Sequence, residues 1–111
     1  MKDQIEFAEF LEIQKKLEIK IGHITHVEDV PKSNKLIKLT VDFSDETRTV
    51  VTNIRPHLNS EISILDKKMA FITNLKPVTM MGIESTAMIM PGEIEKGSLI
   101  TIEGQTGTKL L

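Results

Sequence analysis

The sequence predicts an all-β fold, a small barrel led in by one short helix. Three observations predict it. Apolar residues recur every three positions over residues 4–16. The period then switches to two from Leu17 onward. Turn signals cut the remainder into five or six short strands, the pattern of a small barrel or sandwich. With 111 residues and a mass of 12.5 kDa, the chain is one domain's worth of polypeptide.

The helix is read from Ile5, Ala8 and Leu11, with Phe7 and Phe10 beside them. Asp3 is the expected N-cap, with Glu6 three residues on as in a capping box, and Lys15 and Lys16 suit the negative end of the helix dipole. Leu17, Ile19 and Ile21 then alternate with Glu18 and Lys20 as a half-buried strand. The apolar phase flips after Gly22, to Ile24, and returns at Val27. A glycine at such a flip suggests a bulge, the device that lets a strand curl, and it favours a barrel over a sandwich.

Pro31-Lys32-Ser33-Asn34 reads as a turn. Ile37, Leu39, Val41 and Phe43 alternate with Lys38, Thr40 and Asp42, the clearest period-two signal in the chain. After the polar turn Ser44-Asp45-Glu46, the β-branched run Thr47–Ile54 is a third strand. Residues 55–67, with Pro56, Asn59 and Ser60, form a longer connection with room for one helical turn. Met69–Leu75 is a fourth strand, ended by Lys76-Pro77 because proline cannot donate to a ladder. Ser85–Met90 is a fifth, stopped by Pro91-Gly92, and Leu99–Ile102 a short sixth. Gly104–Thr108 is a flexible turn before Leu110-Leu111. An OB-like barrel suits this order better than an SH3-like one, though the residues separate the two only weakly.

Composition narrows the function. Apolar residues make up 40% and charged residues 27%, ordinary values that argue against a disordered chain. No apolar run approaches a membrane span. The acidic start Met1–Glu6 lacks the apolar stretch of a secretory signal, and no cysteine is present, so disulfides and thiol chemistry are excluded and a cytoplasmic location is expected. The net charge of −2 is unevenly spread: −3 over residues 1–30, +3 over 31–76 and −2 over 77–111. That distribution is compatible with a basic face on an acidic body, though on charge alone a mixed solvated surface is the plainer reading.

Nothing in the chain reads as catalytic. His23 and His26, three apart on a strand, point to opposite faces and cannot readily share a metal, and His57 lies in a loop. The pairs Asp45-Glu46 and Glu93/Glu95 fall in turns, where burial cannot raise a carboxyl pKa. No nucleophile or nucleotide-binding motif is present. No enzyme, no metal and no cofactor are expected. Single-stranded nucleic acids are usually held by aromatic stacking. The chain has no Trp or Tyr, and its four Phe (7, 10, 43 and 71) are expected in the core. Binding through phosphate and shape remains open. The methionines read as core filling, with the Met80-Met81-Gly82 group placed in a loop where an adaptable contact surface is the alternative.

Several segments in order resemble a known family. They are Ile21-Gly22-His23-Ile24, Val27–Pro31, Asn34–Asp42, Arg48–Ile54, Asn74-Leu75-Lys76-Pro77, Met81-Gly82-Ile83-Glu84-Ser85 and Ala87-Met88. Over residues 17–108 the chain is similar to the dimeric tRNA-binding domain, found free-standing and at the C-terminus of many methionyl-tRNA synthetases. Relatives include the endothelial-monocyte-activating polypeptide II domain.

The resemblance implies a five-stranded OB-fold that homodimerises and binds tRNA by shape, alone or in trans with methionyl-tRNA synthetase. On this reading the chain is one tRNA-binding domain over residues 1–111: an N-terminal helix (1–16), a barrel (17–90) and a C-terminal dimerisation extension (91–111). Phe7, Phe10, Leu11, Leu99–Ile102 and Leu110-Leu111 would meet the partner copy. The tRNA-facing positions implied are Asn34, Lys35, Arg48, Thr52, Asn53, Asn74, Lys76, Met81, Ser85 and Thr86. Of these, Lys35, Arg48 and Lys76 would neutralise phosphates, Thr52, Asn53, Asn74, Ser85 and Thr86 would hydrogen-bond the backbone, and Met81 would make an apolar contact.

The chain departs from the family's pattern at Thr52-Asn53 (usually Ser-Gly), at Thr86-Ala87 (usually Gln-Gly) and at Thr79 (commonly basic), all on the implied RNA face. One branch of the family, a peptide-binding export chaperone, is the alternative. That branch tends to carry a Phe-Pro-Pro-type tip where this chain keeps Leu75-Lys76-Pro77. A scaffold that only dimerises a synthetase complex is a third reading.

Overall fold

The computed structural model describes residues 1–59 and 62–111. Helix α1 spans Phe7–Lys16, followed by strands β1 (Ile19–Asp29), β2 (Ile37–Asp42), β3 (Thr47–Thr52), β4 (Lys68–Ile72), β5 (Val78–Met80), β6 (Ile83–Ser85) and β7 (Met88–Met90). Five of the strands form one antiparallel sheet in the order β3-β2-β1-β4-β7, and β5 and β6 form a separate hairpin. The sheet curls because β1 is long and serves two neighbours. Its first half, Ile19–His23, pairs with β4, and its second half, His23–Asp29, pairs with β2.

The two edge strands, β3 and β7, come into contact and close the curl. The link between β6 and β7 seals the seam: the Thr86 amide donates to the Thr49 carbonyl at 3.0 Å, and the Val51 amide donates to Ser85 Oγ at 3.0 Å. Residues 107–111 run along the start of β1, where the Ile19 amide donates to the Leu111 carbonyl at 2.8 Å and the Gly107 amide donates to the Ile21 carbonyl at 2.8 Å.

The alternating residues of β2 behave as their pattern requires, with Ile37, Leu39 and Val41 fully buried and Lys38, Thr40 and Asp42 half-buried between them. They pack with Ile24, Val50, Met69 and Phe71 into one core, where the Phe43 and Phe71 rings meet edge to face at 5.5 Å. Gly22 lies under these rings. A Cβ there would stand 2.5 Å from Val41 Cγ1, 2.7 Å from Phe71 Cδ1 and 2.8 Å from Phe43 Cε1. The glycine is required for close approach. The bulge expected at it falls instead between Ile24 and His26, where the β1–β2 register shifts.

Other expectations are corrected. The helix begins at Phe7 with Glu6 as N-cap, and neither Asp3 nor Glu6 makes a capping bond from its side chain. Phe7 and Phe10 are not core residues: α1 buries no side chain and Phe7 is 72% exposed. Of the methionines, Met69 is core, whereas Met81, Met88 and Met90 are exposed. The single strand expected over Ser85–Met90 is broken at Thr86-Ala87, where Ser85 Oγ donates to the Ala87 carbonyl and the Thr86 amide turns to β3.

Leu99–Ile102 is not a strand. It is an irregular segment held by the Ile100 amide on the Pro91 carbonyl and the Ile102 amide on the Lys68 carbonyl. The connection over 55–67 contains one 3-10 turn, Arg55–His57; Ser60, read as part of it, lies outside the described residues together with Glu61.

Candidate nucleic-acid interface

An open groove of about 490 Å3 lies between the end of the β1–β2 loop, the end of β3, and the β5–β6 hairpin. Its walls are Leu36, Leu75, Val78, Met80 and Met88, and its base includes Thr52, Ser85, Ala87 and Ile89. Asn53 and Lys76 stand exposed at its rim, and Lys76 is the only charged residue among the described residues that line it. Four implied tRNA-facing positions, Thr52, Asn53, Lys76 and Ser85, therefore share one concavity. Thr52 and Ser85 are buried in it.

The hairpin that forms one wall owes its shape to the turn Met81-Gly82, with φ of 50° and 80° between the paired residues Met80 and Ile83. Two consecutive positive φ values are the mark of a type I′ turn, which matches the twist of the flanking strands. Met81 is exposed at its tip. The neighbouring loop is set by Ser33, whose Oγ accepts the Leu36 amide at 3.1 Å and the Lys35 amide at 3.3 Å. This leaves the Asn34 and Lys35 side chains exposed beside the groove wall formed by Leu36. Among the described residues, neither Lys35 nor Lys76 has an ion-pair partner.

Arg48 and Thr86 lie apart from the groove, in a shallower and more polar concavity with Lys38, Glu46 and Glu84. The Arg48 guanidinium is half-buried. It pairs with Glu46, donates to the Thr73 carbonyl at 2.5 Å and the Thr86 carbonyl at 3.0 Å, and lies 5.8 Å from the centre of the Phe43 ring. Asn74 is also engaged: its Oδ1 accepts the Glu18 amide at 2.8 Å and its Nδ2 donates to the Lys16 carbonyl at 2.5 Å. The asparagine thus holds the end of α1 to the end of β4.

Glu18 belongs to the same cluster. The Thr73 hydroxyl donates to it at 2.6 Å, and this bond outweighs the opposing desolvation and, with the ammonium groups of Lys20 and Lys109, holds its carboxyl below the usual carboxylate range.

No group of three or more potential metal ligands occurs among the described residues, where His23 faces Asp66 at 3.5 Å and His26 contacts Thr25 Oγ1. None of the described helices is long and apolar enough to cross a membrane. The groove walls Leu36, Val78, Met80 and Met88 were not among the implied contact residues. For Met80 the signal in the sequence was the Met80-Met81-Gly82 group; Leu36, Leu75 and Val78 carried none.

The family model described as "Putative tRNA binding domain" matches residues 19–110. The chain belongs to the tRNA-binding domain family. Among its relatives, the methionine–tRNA ligase of Methanococcus aeolicus is 41% identical over 88 residues, covering 79% of this chain and 13% of the ligase. That of Methanocaldococcus jannaschii is 39% identical over 90 residues, covering 79% and 14%. This tRNA-binding domain thus spans about one-seventh of the length of the ligases it matches.

The crystal structure of a MetRS-related protein from Pyrococcus horikoshii superposes with a TM-score of 0.81 at 33% identity, over 99% of this chain and 100% of the other. It supports the OB-like assignment of the curled sheet. The chaperone CsaA from Bacillus anthracis shares the fold, with a TM-score of 0.71 at 24% identity, over 98% and 100% of the two chains.

Proposed function

We propose that this tRNA-binding domain is a non-catalytic, homodimeric module that holds tRNA by its shape and backbone, working in the cytoplasm alone or in trans with a methionyl-tRNA synthetase. The observation that carries the reading is the groove beside the β5–β6 hairpin in a chain of this family. It is rimmed by Lys76 and Asn53, flanked by Lys35, and lined by no acidic residue among those described. Unpaired ammonium groups around a concave surface suit a phosphate backbone. They give affinity without base identity. The relation to methionine–tRNA ligases supports a role tied to such an enzyme.

The homodimer is proposed on α1. Phe7, Phe10, Leu11 and Ile13 are all exposed, and Phe7 and Phe10 stack at 6.2 Å. An apolar helix face of this kind suits a second copy.

Fluorescence anisotropy with a pool of folded tRNA, across a salt series, tests the binding reading. The expected result is salt-dependent binding that unstructured RNA and duplex DNA do not match. Lys35→Glu and Lys76→Glu should each weaken binding across all tRNAs and lower the salt slope by about one. Absence of binding at low salt overturns the proposal. The apolar walls of the groove favour the second reading, a peptide-binding chaperone; capture of an unfolded peptide that tRNA cannot displace would establish it instead.

A further inference from the structure

The charges on this surface account for a backbone, but not for the groove. Its walls are aliphatic side chains and thioethers, with Val78 54% and Met88 55% exposed. We infer that the groove takes one unstacked nucleobase of the bound tRNA, held among the side chains of Met80, Met88, Leu36 and Leu75. The inference rests on the tRNA-binding reading and adds where a base goes.

The space admits this occupant and the chemistry points to it. A volume of about 490 Å3 is within the span of small-molecule sites, roughly 300–1,000 Å3. Methionine sulfur makes favourable contacts with aromatic rings. Among the described residues the sole charge on the lining, Lys76, is positive and at the rim with Asn53, so a flat apolar ring is accommodated inside while a phosphate is neutralised at the mouth.

The aromatic residues that usually stack bases are not available for this. Phe43 and Phe71 are in the core, Phe7 and Phe10 are on α1, and there is no Trp or Tyr. In the floor, Ser85 Oγ already accepts from the Val51 amide and donates to the Ala87 carbonyl, which leaves the Thr52 hydroxyl and the Asn53 side-chain amide as the groups that can meet a base edge. Single-stranded loops and ends are the parts of a folded RNA that can supply a splayed base.

The test uses the full chain with 13C-labelled methionine methyls, titrated with total tRNA while anisotropy follows binding. The expected result is an upfield ring-current shift of the Met80 and Met88 methyls and none at Met69, which is sealed in the core. Met88→Ala, at an exposed position, should weaken tRNA binding about tenfold while leaving the salt slope unchanged, whereas Lys76→Ala should lower the slope by about one.

Saturable tRNA binding with static Met80 and Met88 methyls would overturn the inserted base and leave the tRNA reading standing. No tRNA binding at all would overturn both. Shifts produced by an apolar peptide and not by tRNA would assign the groove to peptides.

Discussion

Glu18 connects three parts of the molecule through one carboxylate. It accepts the Thr73 hydroxyl, lies within 3.8 Å of Lys20 and 3.7 Å of Lys109, and offers its amide to Asn74. Its pKa is depressed in the folded chain, so the stability it contributes is full above its unfolded-state value and is lost as pH falls through its folded-state value. Glu18→Gln should therefore lower Tm at pH 7, and the gap to the parent should close as thermal melts are taken down into the acid range. A gap constant with pH would show that the charge is irrelevant.

Gly22 gives a second residue-scale prediction. Because an added methyl would meet Val41, Phe71 and Phe43 at once, Gly22→Ala should cost about 1–3 kcal/mol in urea denaturation. The sequence showed that this glycine was special but not why: a phase flip is visible in one strand, whereas rings arriving from β4 and from the end of β2 are not. Arg48 and Asn74 carry the same lesson. Their residue types suit phosphate and sugar contacts, yet here each also ties distant backbone segments together, which no local spacing reveals.

Among the elements, β2 was the easiest to read because one face is wholly buried and the other is not. The β5–β6 hairpin was the hardest. Its strands have three residues each, too short to show a period, and its turn uses Met-Gly in place of the usual Asn-Gly or Asp-Gly. Yet that hairpin forms one wall of the candidate site. Gly82, at φ 80°, has open space around the position of a Cβ, so Gly82→Ala carries only the backbone cost of about 1–2 kcal/mol for a left-handed residue. The expected outcome is a small loss of Tm with a larger loss of tRNA affinity, as the hairpin shifts. Equal affinity in both proteins would show that the hairpin does not touch RNA.

At the scale of the whole molecule, α1 is the anomaly. Its amphipathic spacing was plain in the sequence, and burial of its apolar face within the chain was the natural inference; instead that face looks outward. If a second copy covers it, sedimentation should give a dimer for the parent, and Phe7→Glu with Phe10→Glu should give a folded monomer with unchanged far-UV circular dichroism. The monomer should bind tRNA more weakly, since two linked sites gain avidity that one lacks. A parent that sediments as a monomer at micromolar concentration would reject the dimer.

The pairing of residues 107–111 with the first turn of β1 has a consequence for how the molecule reaches its shape. The first half of β1 takes its neighbours from β4 and from a segment about ninety positions away in the chain, as in the bond from the Ile19 amide to the Leu111 carbonyl. Such pairings reward the chain only after long loops have closed, so they slow the search; barrels dominated by them fold in roughly milliseconds to seconds, where helical bundles take microseconds. Until residues 107–111 pair with it, one side of the start of β1 presents open hydrogen-bonding groups, and in that interval the chain is exposed to strand exchange with its neighbours.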